Sequence, residues 1–411
     1  DSRQSRGLGD VYKRQTMHIL EQSPTDYTFV QNPYPFYESA RRLQQPVFWR
    51  DYNMASFFDH QSVMSLLKDR RFGRECPKDL AQPTPKHLAP FYKLEANSML
   101  ELEPPRHSRL RGLVLRAFTS RRIASLEPEI KQLCHSLIDD FKTSEIDLLE
   151  AYAKPLPVII IARLLGVPES MADELLRWSN DMVMMYQARR SKTLEARAVA
   201  ASKAFSDFMR SYIEERRTRP ADDLITHLIA AEENGQRLTT DEMITTCILL
   251  LNAGHEATVH TLGNGVKTLL ETGVPASCLA PEHIDGTVEE ILRYDPPLHM
   301  FTRYANEDLT VQGHALKRGD QIALMLGAAG RDPTNWWDPD VFDPSRDVKT
   351  NAAFGAGIHF CLGAALARLE LRTALPIVFE RCPQLQLARS PGYADVYHFH
   401  GLQNLFVNTG P

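Results

Sequence analysis

The chain has 411 residues, 47 Lys plus Arg against 52 Asp plus Glu for a formal net charge of −5, and 43% hydrophobic residues. These ordinary fractions exclude disordered, collagenous and disulfide-scaffold proteins. The slightly acidic balance argues against a protein that works on nucleic acid, which needs a basic excess.

Residues 1–16, DSRQSRGLGDVYKRQT, are polar and lack the apolar core of a signal peptide, so they are expected to be a non-native leader or a short disordered tail outside the fold. From Asn32 to Phe72 a helical stretch, PYPFYESARRLQQ, precedes short strands in PVFWRD and MASFF and a second helical stretch, SVMSLLKDRRF. Residues 76–98 have no clear period and read as a long loop, a feature of functional or mobile segments. Helical patterns dominate from His107 to Leu270. The most apolar run, Leu156 to Leu165, falls short of the roughly 20 residues of a membrane span and contains Pro157 and Arg163, so no membrane association is expected.

Thr239 and Glu242 have the spacing of a capping box and open the clearest helix, which runs to about Leu270. At 1.5 Å per residue it is a rod of about 48 Å, long enough to cross a whole domain. A further helix, Ile284 to Tyr294, ends at Asp295-Pro296-Pro297, and LTVQGHALKRGDQIALML then reads as strands with turns at Gly313 and Gly319-Asp320. Without repeats or linkers, residues 17–411 are expected to form one large domain, mainly α with small β-sheets. The six cysteines, Cys76, Cys134, Cys247, Cys278, Cys361 and Cys382, contain no CxxC pair, which points away from zinc ribbons and disulfide frameworks and towards a reducing cytoplasm.

The most informative segment is FGAGIHFCLG, Phe354 to Gly363, followed at once by a helical run. Its glycines let the backbone turn tightly and approach something flat, and a cysteine just before a helix start has amide donors and a positive helix end to stabilise its thiolate. A lone cysteine is usually a small buried hydrophobe, but FGxGxHxCxG specifies five further positions.

This segment resembles the haem-binding loop of the cytochrome P450 family, in which the cysteine thiolate is the axial iron ligand. The resemblance extends over essentially Met17 to Pro411. It implies the P450 fold, with a long central helix over the haem, here haem b (iron protoporphyrin IX), and Cys361 as the metal ligand. Glu290 and Arg293 match the family's ExxR, and Arg346, in RDPTNWWDPDVFDPSR, matches the arginine that completes that network. His107 and Arg111 match HxxxR, and with Arg303 and His359 they occupy positions that contact the haem propionates. Arg106, Arg109, Arg116, Arg121 and Arg122 are expected to contribute to a basic patch on the cysteine side, suited to an acidic redox partner.

In AGHEAT, Ala253 to Thr258, Glu256 matches the acid that feeds protons towards O₂ at the haem, with small residues at 253 and 254 permitting close approach. The threonine usual directly after the acid is replaced by Ala257, and Thr258 lies about 100° further round the helix. Water held by Thr258 or by a polar substrate group is therefore expected to serve in its place. Family-equivalent pocket positions are Leu250, Ala253, Ala257, Leu298, Phe301 and Leu402. Met182, Met184 and Met185 form either an adaptable pocket wall or core.

The implied activity is O₂-dependent hydroxylation of a lipophilic small molecule. The chain has no dinucleotide-binding glycine fingerprint, so electrons are expected from a separate ferredoxin or flavodoxin and its NAD(P)H reductase. Two alternatives stay open: a peroxygenase using H₂O₂, against which Glu256 speaks, and a haem-binding sensor without turnover.

Overall fold

The computed structural model describes residues 17–186, 190–231, 235–347, 350–395 and 399–410; the expectation for residues 1–16 falls outside them. Six helices position the site: α1 (Arg106–Ala117), α2 (Pro155–Leu165), α3 (Lys192–Thr218), α4 (Thr240–Thr272), α5 (Ile284–Tyr294) and α6 (Ala364–Arg381).

The axis of the molecule is α4, whose 33 residues begin at the expected capping box, with Thr239 Oγ1 accepting from the Glu242 amide and Glu242 accepting from the Thr239 amide. Glycines let other helices cross this rod closely. A Cβ on Gly254 would stand 2.8 Å from Ile161 of α2, one on Gly263 would stand 2.6 Å from Leu149, and one on Gly265 would stand 3.0 Å from Ile291 of α5. Gly254 thus allows close packing against α2. The apolar run in α2 has the same explanation, since Leu156, Val158, Ile160, Ile161, Leu164 and Leu165 are all buried in the main core. Each contributes about 1.5–3 kcal/mol by leaving water.

A six-stranded sheet runs in the order His18–Leu20, Val47–Trp49, Met54–Phe57, Gln321–Met325, Met300–Ala305, Phe72–Gly73. The expected hairpin, Leu309–Val311 with His314–Leu316, pairs as a separate two-stranded sheet, and Gln321–Met325 leaves it to join the large sheet. The segment 76–98 is not wholly loop. It contains a short helix, Ala89–Glu95, started by Pro90 and held by Phe91 and Leu94, which are buried three positions apart on one face. No helix among the described residues is long and apolar enough to cross a membrane.

Candidate active site

Gly355 (φ +67°) and Gly357 (φ +73°) shape the cysteine loop in a backbone conformation that side chains disfavour. A Cβ on Gly357 would meet the Leu67 carbonyl oxygen at 2.5 Å, and one on Gly355 would meet the Phe301 ring at 2.9 Å. Phe301 is thus brought against the loop that carries Cys361. The Cys361 amide donates to the Phe354 carbonyl (3.0 Å), and α6 begins three residues later. Burial pushes the Cys361 thiol up, opposed by the Gly363 and Ala364 amides and the Arg111 and Arg368 guanidinium groups. These donors favour a thiolate wherever a cation is at hand to ligate it.

The Glu290–Arg293 pair is buried, not a surface ion pair. Arg293 is 1% exposed and donates from Nε and Nη2 to the two carboxylate oxygens, both at 2.7 Å. Its remaining donors reach the carbonyls of Gly330, Pro339 and Val341. Arg346 completes the set at 3.3 Å from Glu290 and also reaches the carbonyls of Trp337, Asp338 and Val341. Together these contacts tie the segment before the cysteine loop to the end of α5.

His107 and Arg303 are buried and His359 is half-buried, and the rings of His107 and His359 lie 4.4 Å apart. Arg303 donates to the Thr302 carbonyl (2.8 Å), and no carboxylate lies within salt-bridge distance of it among the described residues. Burial and the neighbouring Arg74 pull its guanidinium down to about 10. His107 Nδ1 is likewise buried without a partner among the described residues, and burial, His359 and Arg111 hold that imidazole down at about 4. A buried cation and an orphaned imidazole nitrogen are what a group carrying carboxylates requires. Cys361, the close backbone approach and these donors therefore fit a haem.

The sequence reading missed Glu103 and Arg74, for which no local pattern signals a role. His359 Nε2 hydrogen-bonds to Glu103 (2.9 Å), which also accepts from the Arg74 amide (2.7 Å). His359 thus has a carboxylate partner from its own chain. Arg111 donates to the Phe360 carbonyl (2.8 Å) and flanks Cys361.

A family model described as Cytochrome P450 matches residues 78–272 and 282–387. The chain belongs to this family. Its curated relatives include the polyketide biosynthesis cytochrome P450 PksS of Bacillus subtilis (strain 168), 37% identical over 360 residues, 86% of this chain and 88% of that one. The cytochrome P450 monooxygenase PikC of Streptomyces venezuelae is 34% identical over 390 residues, covering 91% and 89%. Among solved structures, P450BioI in complex with an acyl carrier protein ligated to hexadec-9Z-enoic acid superposes with a TM-score of 0.87. It is 32% identical to this chain and covers 93% of it and 99% of its own length. The protein is a cytochrome P450 monooxygenase of bacterial type, and its family binds haem.

In this P450, Ala253 is exposed and Leu250 and Ala257 are half-buried, while Asn252, His255 and Thr258 around them are buried. One face of α4 is therefore an apolar stripe open for contact. The hydroxyl of Thr258 is turned into the helix, donating to the Gly254 carbonyl (2.9 Å). Glu256 accepts from His260 Nε2 (3.1 Å) and lies 3.5 Å from His255 Nδ1. Burial alone would raise its carboxyl, but the His260 hydrogen bond with His255 and Lys154 nearby hold it down at about 2, so it is ionised at neutral pH. Burial keeps His255 neutral, at about 4.

Leu298 and Phe301 pack at the edge of the sheet-side core. Leu402 does not line an open wall: it is 3% exposed and packs against α4 near Gly263, a core position. Met182 and Met185 are core as well, whereas Met184 is half-buried.

Three of the arginines of residues 106–122 turn to acceptors on other elements. Arg106 turns to the Ala96 carbonyl, Arg109 to Glu242 and Arg122 to Asp222, because each finds an acceptor on a neighbouring element. Arg111, Arg368 and Arg372 line a groove of about 530 Å³ that reaches Cys361, with Arg368 ion-paired to Glu289 and Arg372 3.9 Å from Glu127. Leu115 and Phe360, 45% and 38% exposed, give this groove an apolar edge.

Proposed function

We propose that this P450 binds haem b through Cys361 and hydroxylates a neutral lipophilic molecule of the acyl or polyketide kind. When bound there, haem supplies O₂ activation and insertion of one oxygen atom into a C–H bond. Arg303 and His107 would hold the propionates, and Glu290, Arg293 and Arg346 keep the cysteine loop in register. The stripe Leu250, Ala253 and Ala257, with Leu298 and Phe301, orients an apolar substrate and excludes water. Glu256 is the group that takes up a proton and delivers it. Thr258 keeps α4 closed at Gly254 rather than donating towards the site, which leaves ordered water or a substrate hydroxyl to bridge from Glu256.

Electrons arrive from a separate ferredoxin or flavodoxin, docked on the Arg111, Arg368 and Arg372 groove, whose cations and apolar edge suit an acidic partner. Six free cysteines support a reducing cytoplasmic setting. The substrate class draws support from the relative named for polyketide biosynthesis and from the neighbour captured with a carrier-bound acyl chain.

The observation that carries the reading is the buried Arg303 and orphaned His107 beside a cysteine loop that approaches Phe301 through glycine. The test is turnover with a surrogate ferredoxin and reductase after a spectral binding screen of acyl, polyketide, steroid and terpene ligands. The expected result is an O₂- and NAD(P)H-dependent hydroxylated acyl or polyketide product. Product with H₂O₂ alone would establish the peroxygenase instead, and ligand binding without product in either system would establish the sensor.

A further inference from the structure

Glu256 is ionised at rest, so it must take up a proton before it can give one, and the structure identifies its neighbours on every side. On α4 itself lie His255 and His260. From the start of α2 comes Lys154, whose ammonium is paired with Glu150. From the C-terminal segment comes His400, which stands close enough to His260 for their charges to interact, and Lys267 lies on the far side of His400. His255 is a poor donor, because its Nδ1 is 3.5 Å away and its ring is buried and neutral. Lys154 is held by Glu150. His260 remains, with Nε2 at 3.1 Å from Oε1 on the same helix face, four residues on.

The His260 ring is also fixed in place. It lies against the backbone of Gly401, where a Cβ would stand 1.9 Å from its Nδ1, and 5.8 Å from the Phe399 ring. That contact requires glycine at 401 and leaves the ring one orientation towards Glu256. The side chain is 14% exposed, so its edge meets solvent while Nε2 holds the carboxylate. Its Nδ1 has no hydrogen-bond partner among the described residues.

We propose that His260 is the proton carrier that recharges Glu256, an inference that rests on the reading of Glu256 as the proton-delivering acid. The proton moves from Nε2 to Oε1, leaving a neutral imidazole with its hydrogen on Nδ1 and a neutral carboxylic acid. When the carboxyl group turns to deliver that proton, Nε2 faces water and is protonated again. No electrons move and no other co-reactant is needed.

The experiment compares wild type, Glu256→Gln, His260→Gln and His260→Lys, each first checked for the red-shifted ferrous–CO band as proof of folding. Product per NAD(P)H is measured from about pH 5 to 8 with a ferredoxin system and any substrate that turns over. Histidine ¹⁵N NMR of the CO-bound ferrous enzyme is recorded in parallel, independent of turnover. His260→Gln lowers the yield by about tenfold or more and alters its dependence on pH. His260→Lys, which keeps the ion pair but holds its proton, lowers it similarly. The NMR signal lost in His260→Gln shifts in Glu256→Gln, showing that the two groups share a hydrogen bond. If Glu256→Gln lowers the yield while His260→Gln and His260→Lys keep both the yield and its pH dependence, the relay is overturned and the role of Glu256 stands. If Glu256→Gln keeps the full yield, the reading of Glu256 itself falls, and the relay with it.

Discussion

Replacing Arg293 by Met removes a guanidinium with five hydrogen bonds from a site where it is 1% exposed. Glu290 is left with the Asp343 amide at 2.8 Å and Arg346 at 3.3 Å, and the carbonyls of Gly330 and Pro339 each lose a 2.7 Å donor. Breaking one side of a buried ion pair costs about 3–5 kcal/mol, against a typical total of about 5–15 kcal/mol. Arg346→Met is the internal comparison. Its contact with Glu290 is longer, and most of its bonds go to carbonyls near solvent, so its loss should cost about 1–2 kcal/mol. Urea unfolding of the holoprotein followed by far-ultraviolet circular dichroism gives the difference, with haem content as a second readout. In Glu290→Leu/Arg293→Met no buried charge is stranded within the pair, so part of the stability should return. An Arg293→Met variant no less stable than Arg346→Met would refute the argument that this pair anchors the cysteine loop.

Glu370 on α6 is 1% exposed, its Oε1 has no hydrogen-bond partner among the described residues, and burial pushes its carboxyl up to about 8. The folded protein holds a proton that the unfolded chain releases above the ordinary carboxylate range, so this group makes stability fall as pH rises from about 4.3 to about 8. Glu370→Gln should be nearly neutral near pH 5 and stabilising near pH 8; parallel stability curves for the two proteins would contradict this. Gly357→Ala forces a left-handed alanine, costing about 1–2 kcal/mol, and drives its Cβ into the Leu67 carbonyl. Purified Gly357→Ala should hold markedly less haem per chain than wild type, and full occupancy would show that the loop yields at this point.

What the sequence displayed clearly was what neighbouring residues decide. The capping box at Thr239 and Glu242, the stop at Asp295-Pro-Pro and the glycines around Cys361 act over a few residues, and the structure reproduces each. Glu290 and Arg293 share one helix turn, but their role and that of Arg346 were legible only through the resemblance to the P450 family. The basic segment was misleading because an arginine's direction is settled by acceptors far along the chain. Arg109 is claimed by Glu242 and Arg122 by Asp222, neither of which a local pattern connects to residues 106–122. Glu103 and Arg74 meet His359 only through tertiary packing, and Leu402 turns into the core because Gly263 leaves room for it. His260 is an intermediate case: its spacing from Glu256 is visible in the sequence, but the Gly401 contact that orients it is not.

The central claim, that Cys361 supplies a thiolate to haem in this chain, is tested most directly by the ferrous–CO spectrum of wild type and Cys361→Ala. The account predicts a red-shifted Soret band in wild type and its absence in the variant. A red-shifted band that survives in Cys361→Ala would contradict it.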